Sequence, residues 1–295
     1  MTPLVETLTI RTPDGRDLCV ETAGDPMGVP VLVHGGTPNS RHLYHRWIAD
    51  AERRGIRLLS YDRPGYGGST AAPGHSVADA AADVQSLADA LGIRRLRVWG
   101  YSGGGPDALA SAALLPELVL AVATVGGLAP YGAPGLDYLA GMGQSNVDDT
   151  LQYFADPVAA RRKCGEDRER FLGAGPGDIG QGLATLLAPV DAAVLSDDFA
   201  QFRYQCRQDG LAPGDQGWWD DGVAQLGPWG FDLTSIQIPV KVWHGRHDRF
   251  VPVQHGEWLC DHVPGASAVL SDEDGHLTLQ VAKIGDVHEW LLAQT

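Results

Sequence analysis

The chain reads as an α/β protein, a mostly parallel central sheet flanked by helices and interrupted by one long helical insertion. Three features carry that reading. Short apolar runs bounded by glycine recur along the chain and mostly alternate with helical stretches, the pattern of strands buried on both faces of a parallel sheet. A hairpin-like pair of alternating segments precedes them. Over residues 130–228 the rhythm lapses into dispersed prolines and glycines, and it resumes near Ile238.

Taken in order, alternation over 4–11 and 17–22 around Thr12-Pro13-Asp14-Gly15-Arg16 predicts an antiparallel hairpin, since Pro-Asp-Gly supplies the turn chemistry. Six apolar runs follow, at 30–33, 56–61, 96–100, 118–125, 240–243 and 267–270. Between the second and third, Val77, Ala81, Val84, Leu87, Ala88 and Leu91 recur at helical spacing, with Ser76 placed to cap the start and Gly92 to end it. Strand, helix and strand in that order imply right-handed crossovers. Residues 130–228 are expected to form a mostly helical cap, with short helices around 147–154 and 179–187, while 1–129 and 229–295 form the core domain. A last helix is expected over 277–292.

A length of 295 residues suits two ordinary domains or one large domain with an insertion, and a 44% hydrophobic fraction is enough to bury a core. The 22 basic and 37 acidic residues leave a formal charge of −15, the wrong sign for holding phosphate backbones, so nucleic acid is not an expected partner. The longest apolar stretch, 118–129, falls short of the about 20 residues that a membrane span needs. The opening MTPLVETLTI has Glu6 and no basic residue before its apolar positions, unlike a secretory signal. A cytoplasmic protein with no membrane partner is expected. Cys19, Cys164, Cys206 and Cys260 lie far apart with no C-x-x-C pair, so they read as buried or idle thiols.

The most specific local signal is Gly100-Tyr101-Ser102-Gly103-Gly104, a G-x-S-x-G pattern directly after a strand and before a helix. A turn that tight brings strand and helix together on either side of the serine, which Gly100 and Gly104 permit. Ser102 would stand clear of the sheet edge as a nucleophile, under the unpaired amides and positive dipole end of the following helix. Pro106 in that helix's first turn costs no hydrogen bond. His34-Gly35-Gly36-Thr37-Pro38, at the end of an earlier strand, offers a backbone N–H that can point into the same space. Gly36 or Thr37 would then join Gly103 as a two-donor oxyanion hole. His34 itself reads as a structural residue hydrogen-bonded to its loop.

With these residues the chain resembles the α/β-hydrolase superfamily, in its capped subgroup with a catalytic serine, over nearly its whole length outside the cap. Further similar segments are Asp62-Arg63-Pro64-Gly65-Tyr66-Gly67-Gly68-Ser69, His244-Gly245-Arg246-His247-Asp248-Arg249-Phe250-Val251-Pro252 and Asp274-Gly275-His276. The family's chain order of serine, acid and histidine implies Ser102, Asp248 and His276 as a catalytic triad. The chemistry agrees: a serine hydroxyl needs an imidazole to take its proton, and the imidazole needs a carboxylate to fix its tautomer. His276 combines a late, glycine-preceded loop with a following helix, whereas His42, His45 and His75 read as loop or surface residues and His288 lies within the last helix. Among the acids, Asp62 reads as a loop former. Asp272 and Asp274 are too near His276 in sequence to orient its ring easily.

The resemblance implies a serine hydrolase acting on a small-molecule ester, thioester, lactone or amide, without a cofactor. Tyr101, Trp218 and Trp219 are candidate walls of the substrate pocket. A zinc site drawn from His244, His247, Asp248 and His276 is the competing metal reading, but it leaves the elbow and the oxyanion donors without a purpose. Relatives that open epoxides or carbon–halogen bonds use an aspartate where this chain has Ser102, which disfavours those reactions. HGGTP also resembles a segment of proline aminopeptidases, from whose usual elbow Tyr101 and Gly103-Gly104-Gly105 depart. Carbon–carbon hydrolysis, cofactor-free cyclisation or perhydrolysis on the same triad stays open, and so does a ligand receptor that retains it.

Overall fold

The glycine-bounded apolar runs all become strands in the computed structural model, which describes residues 5–195 and 197–295. The hairpin is β1 (Val5–Arg11) and β2 (Asp17–Gly24), followed by β3 (Val29–His34), β4 (Ile56–Tyr61), β5 (Leu96–Tyr101), β6 (Val119–Val125), β7 (Val240–Gly245) and β8 (Ser267–Ser271). They form one eight-stranded sheet in the order β1-β2-β4-β3-β5-β6-β7-β8. β2 pairs antiparallel with β1 and β4, and every other pair is parallel. The β1–β2 turn closes through Gly15 N donating to Thr12 O at 3.0 Å, with Gly15 at φ 85°.

Across the central strands both faces of the sheet are dry. Leu32, Leu59, Val98, Val122 and Val242 pack on one side, and their strand neighbours Val31, Val33, Leu58, Trp99, Ala123 and Trp243 on the other. Each of these central strands therefore lacks a polar face, which is why it reads as a continuous apolar run, whereas β1, mostly exposed, keeps the alternation of a hairpin strand.

The helices before the insertion are α1 (His45–Arg54), α2 (Ala80–Leu91) and α3 (Gly104–Leu114). A 3₁₀ turn over Val77–Asp79 leads into α2, the Asp79 carboxylate accepts the Ser76 amide at 2.7 Å, and Gly92 ends the helix at φ 66°. Between β6 and β7 run α4 (Gln144–Ala155), α5 (Pro157–Gly173), α6 (Ile179–Gly182), α7 (Pro189–Val194), α8 (Asp197–Leu211) and α9 (Gln216–Leu226). The helix expected over 179–187 stops at Gly182. α10 (Val253–His262), α11 (His276–Ala282) and α12 (Ile284–Leu292) complete the chain.

The single helix expected over 277–292 is thus two. The break at Lys283 lets Leu277 and Leu279 on one side, and Ile284, Val287 and Leu291 on the other, all enter the same core cluster. All four cysteines are free, with Cys19 and Cys206 buried. No described helix is long and apolar enough to cross a membrane.

Candidate active site

The carboxyl ends of β3, β5, β7 and β8 lie along one edge of the sheet, where α/β folds place their ligand sites. Ser102 follows β5 at φ 54°, the only non-glycine residue with positive φ among those described. An L-residue held there stores on the order of 1–3 kcal/mol of strain, which the surroundings must enforce. A Cβ on Gly100 would strike the Gly104 carbonyl, and one on Gly104 the backbone of His34 and Gly35, so only this glycine pair lets β5, α3 and the β3 loop meet. Ser102 N donates to Val125 O at 3.0 Å, and Gly105 N to Ser102 O at 2.9 Å. The amides of Thr37 and Gly103 donate to no protein acceptor among the described residues. Gly36 packs against Ser102 Cβ and the Tyr101 ring so closely that a Cβ there would clash with both.

Asp248 and His276 meet across 28 residues of sequence: Asp248 Oδ2 accepts from His276 Nδ1 at 2.7 Å. A carboxylate only accepts, so Nδ1 carries the proton and Nε2 is left for a ligand. Asp248 Oδ1 is fixed by the Phe250 and Val251 amides, both at 2.8 Å. Phe250 stacks on the imidazole, ring centroids 4.5 Å apart. Ser102 and His276 line one cavity, with no hydrogen bond joining the two side chains.

His276 is also the first residue of α11, and that helix start is capped from far away. Asp191 of α7, fully buried, accepts the amides of His276, Leu277 and Thr278 at 2.9, 2.7 and 3.0 Å. Burial pushes its carboxyl up, while the three amides and His276 pull the other way. Nothing in the sequence around Asp191 signals this contact, which spans 85 residues.

A buried ionic cluster supports the Thr37 loop. Arg63 NH2 bonds Asp221 at 2.7 Å and Thr37 Oγ1 at 2.9 Å, and its NH1 bonds Asp107 at 3.2 Å. Asp221 also accepts from Tyr66 at 2.7 Å and from Thr37 at 3.1 Å. Burial raises the Asp107 carboxyl to about 6 despite Arg63. His75, in the loop before α2, joins at 3.5 Å from Asp221 and so belongs to this cluster as well. Burial opposes its charge, but the hydrogen bond and charge of Asp221 prevail and raise it to about 9. Gln225 of α9 ties the loops carrying Thr37 and Gly103 together, donating to Thr37 Oγ1 at 3.2 Å and Gly103 O at 3.4 Å.

The other singled-out residues sort clearly. His34 is buried and pushed down to about 3 by desolvation; its partner is Ser111 of α3 at 3.4 Å, not its own loop. Asp62 accepts the Arg41 amide at 2.6 Å and the Gly68 amide at 2.9 Å, a loop former as expected. Asp274 takes the Ser271 hydroxyl at 2.6 Å, and Asp272 pairs with Arg246 at 2.9 Å. His244 Nε2 is committed to Val251 O at 2.7 Å while His247 is exposed, and no group of three ligating side chains converges among the described residues. Tyr101 is a correction: it does not line the cavity. Two residues along β5 from Trp99, it points to the same side of the sheet and packs against Trp47, ring centroids 5.7 Å apart.

The cavity, about 330 Å³, lies between this sheet edge and the helices of the insertion. Thr37, Ser102, Gly103 and His276 line one side, and Phe171, Trp218 and Trp219 another. Trp218 stacks on Phe171, centroids 5.5 Å apart, and Trp219 lies under Arg161 at 5.6 Å.

Comparison with known proteins gives a consistent picture. A family model described as the alpha/beta hydrolase fold matches residues 29–281. A non-heme chloroperoxidase of Streptomyces lividans is 32% identical, covering 90% of this chain and 88% of its own. A 2-hydroxy-6-oxononadienedioate/2-hydroxy-6-oxononatrienedioate hydrolase of Burkholderia vietnamiensis is 26% identical, covering 89% and 86%. Among solved structures, an esterase from Exiguobacterium antarcticum superposes with a TM-score of 0.71 at 20% identity, covering 98% of this chain and all of its own.

Proposed function

The chain belongs to the α/β-hydrolase family, and on that premise we propose that it is a serine hydrolase forming an acyl-enzyme on Ser102 with a small or medium ester, thioester, lactone or amide. The observation that carries the reading is the left-handed backbone of Ser102, strain held at the one serine that stands between a strand end and a helix start. In this reading His276 Nε2 takes the Ser102 proton as Oγ attacks the carbonyl. Asp248 holds Nδ1 protonated and stabilises the imidazolium that forms. The oxyanion is received by the amide of Gly103 together with one amide of the Gly36–Thr37 turn. The imidazolium then protonates the leaving group, and a water activated by the same nitrogen releases the acid.

Residues 130–228 act here as a cap that roofs Ser102, excludes water and sets specificity. Its Trp218 and Trp219 supply apolar walls.

Carbon–carbon hydrolysis is the second reading, favoured by the relative from Burkholderia vietnamiensis. A panel of p-nitrophenyl esters of rising chain length, run beside an aminopeptidase substrate and a diketone, separates the readings. Ester turnover that Ser102→Ala lowers by about 10³-fold or more supports the acyl-enzyme. Turnover of the diketone alone transfers the triad to the second reading, and full ester activity in Ser102→Ala removes both.

A further inference from the structure

Every charged side chain on the cavity wall has a protein partner except two. The wall carries Lys163, Arg170, Arg203 and Arg207 against Asp149 and Asp167. Both acids are taken, Asp149 by Lys163 at 2.8 Å and Asp167 by Lys163 and by Arg170 at 2.9 Å. Arg203 and Arg207 sit one turn apart on α8, each 5% exposed. Neither guanidinium makes an ion pair or a hydrogen bond to a protein group among the described residues, and the Nε of each is buried without a partner. The Arg207 guanidinium carbon lies 4.7 Å from the Phe171 ring centroid, a contact that supplies no hydrogen-bond acceptor for its N–H donors.

Holding a charge out of water without a counter-ion is strongly unfavourable, and two like charges one turn apart add repulsion. Burial, and after it the charge of Arg203, draws Arg207 down to about 9. In a chain of formal charge −15 there is no shortage of carboxylates, yet among the described residues none pairs with either arginine. The arrangement is unfavourable in the empty protein and becomes favourable when an anion enters. A planar carboxylate suits it best, because two parallel N–H donors of a guanidinium match two carboxylate oxygens.

We propose that Arg203 and Arg207 bind a carboxylate of the substrate away from the bond being cleaved, so that the Ser102 site acts on acyl compounds carrying a second, free carboxylate, such as half-esters of dicarboxylic acids. This rests on the serine-hydrolase reading for what happens at Ser102, but the anion site itself does not depend on turnover.

The test uses full-length Ser102→Ala protein, calorimetry, and monomethyl and dimethyl esters of the dicarboxylic acids from succinate to suberate. At least one monomethyl ester is expected to bind tenfold or more tightly than its dimethyl counterpart. Arg203→Met and Arg207→Met, each in the same background, are expected to bring that ratio to within about twofold of one; Arg203→Gln and Arg207→Gln repeat the measurement should the methionine variants fail to fold. A ratio near one at every length, or a ratio that all four substitutions leave intact, overturns the proposal. Wild-type hydrolysis of the same pairs is then read separately. Arginine-dependent binding without hydrolysis or labelling at Ser102 sinks the serine-hydrolase reading and keeps the anion site. Hydrolysis at Ser102 with no preference for the half-ester does the reverse.

Discussion

The two sides of the cavity are built on opposite rules. On the sheet side, Asp248 fills its acceptor sites with His276 and two amides, Asp191 takes three amides at the head of α11, and Thr37 is held from below by Arg63 and Asp221. On the side of the insertion, two buried arginines face the same space with no protein acceptor among the described residues. Groups whose hydrogen bonds are complete stay in place whether or not a ligand is present, which suits proton transfer, where a small displacement is costly. Groups left incomplete wait for the ligand to complete them, which suits recognition. Residues 130–228 therefore matter on both counts, because they also provide Asp191 and Gln225 to the ordered side.

The largest effect is expected from breaking the ordered side at its centre. Asp248→Asn loses the acceptor that fixes the His276 tautomer and is expected to lower kcat on the order of 10³-fold, while combining it with Ser102→Ala adds little, as members of one catalytic unit are strongly non-additive. Steady-state kinetics of the two single variants and the double variant measure this, and a full additional loss in the double variant would separate Asp248 from Ser102.

Asp191→Ala strands three amides and is expected to cost about 1–3 kcal/mol of stability and about tenfold in kcat, with KM little changed. Asp191→Asn, which retains one acceptor, is expected to recover part of both. Thermal unfolding and initial rates read the pair; unchanged kcat in a destabilised Asp191→Ala would make Asp191 a stabiliser of α11 without influence on His276.

The ionic cluster under Thr37 makes stability depend on pH. His75 has its folded value raised from 6.5 to about 9, so its stabilisation is complete below 6.5 and is lost as pH rises through about 9. Urea unfolding is expected to show wild type more stable than His75→Gln by on the order of 2 kcal/mol at pH 6, with the gap shrinking toward pH 9.5. A gap that grows with pH would contradict the charged pairing with Asp221.

The smallest effect is expected on the insertion side. Trp218→Ala and Trp219→Ala should change kcat/KM across acyl chain lengths by up to about tenfold, unequally between lengths, while a small phosphonylating agent still reacts with Ser102. Equal loss for every substrate in a folded variant would place these walls in the catalytic apparatus.

How far the sequence could be read follows the same division. The strands were legible because burial on both faces turns each into a short apolar run, and the elbow because its glycines are demanded by backbone contact at Gly100 and Gly104. Tyr101 adjoins Ser102 in sequence, but strand alternation turns its side chain to the side of Trp99 and away from the cavity. Asp191, Gln225, Arg203 and Arg207 were illegible for a physical reason. Their partners or their neighbours on the cavity wall lie tens of residues or more away, and α5 and α8 intersperse charged with apolar residues, so no stripe marks which face meets the sheet. The contact of Phe250 with His276 was within reach, because it lies two residues from Asp248.

The central claim is that Ser102 is the nucleophile, and covalent labelling tests it most directly. Wild-type protein treated with a fluorophosphonate probe, digested and mapped by mass spectrometry is expected to carry one adduct, on the peptide containing Ser102, absent from Ser102→Ala and formed far more slowly in His276→Gln. An adduct on any other residue, or none at all in a folded protein, would contradict the account.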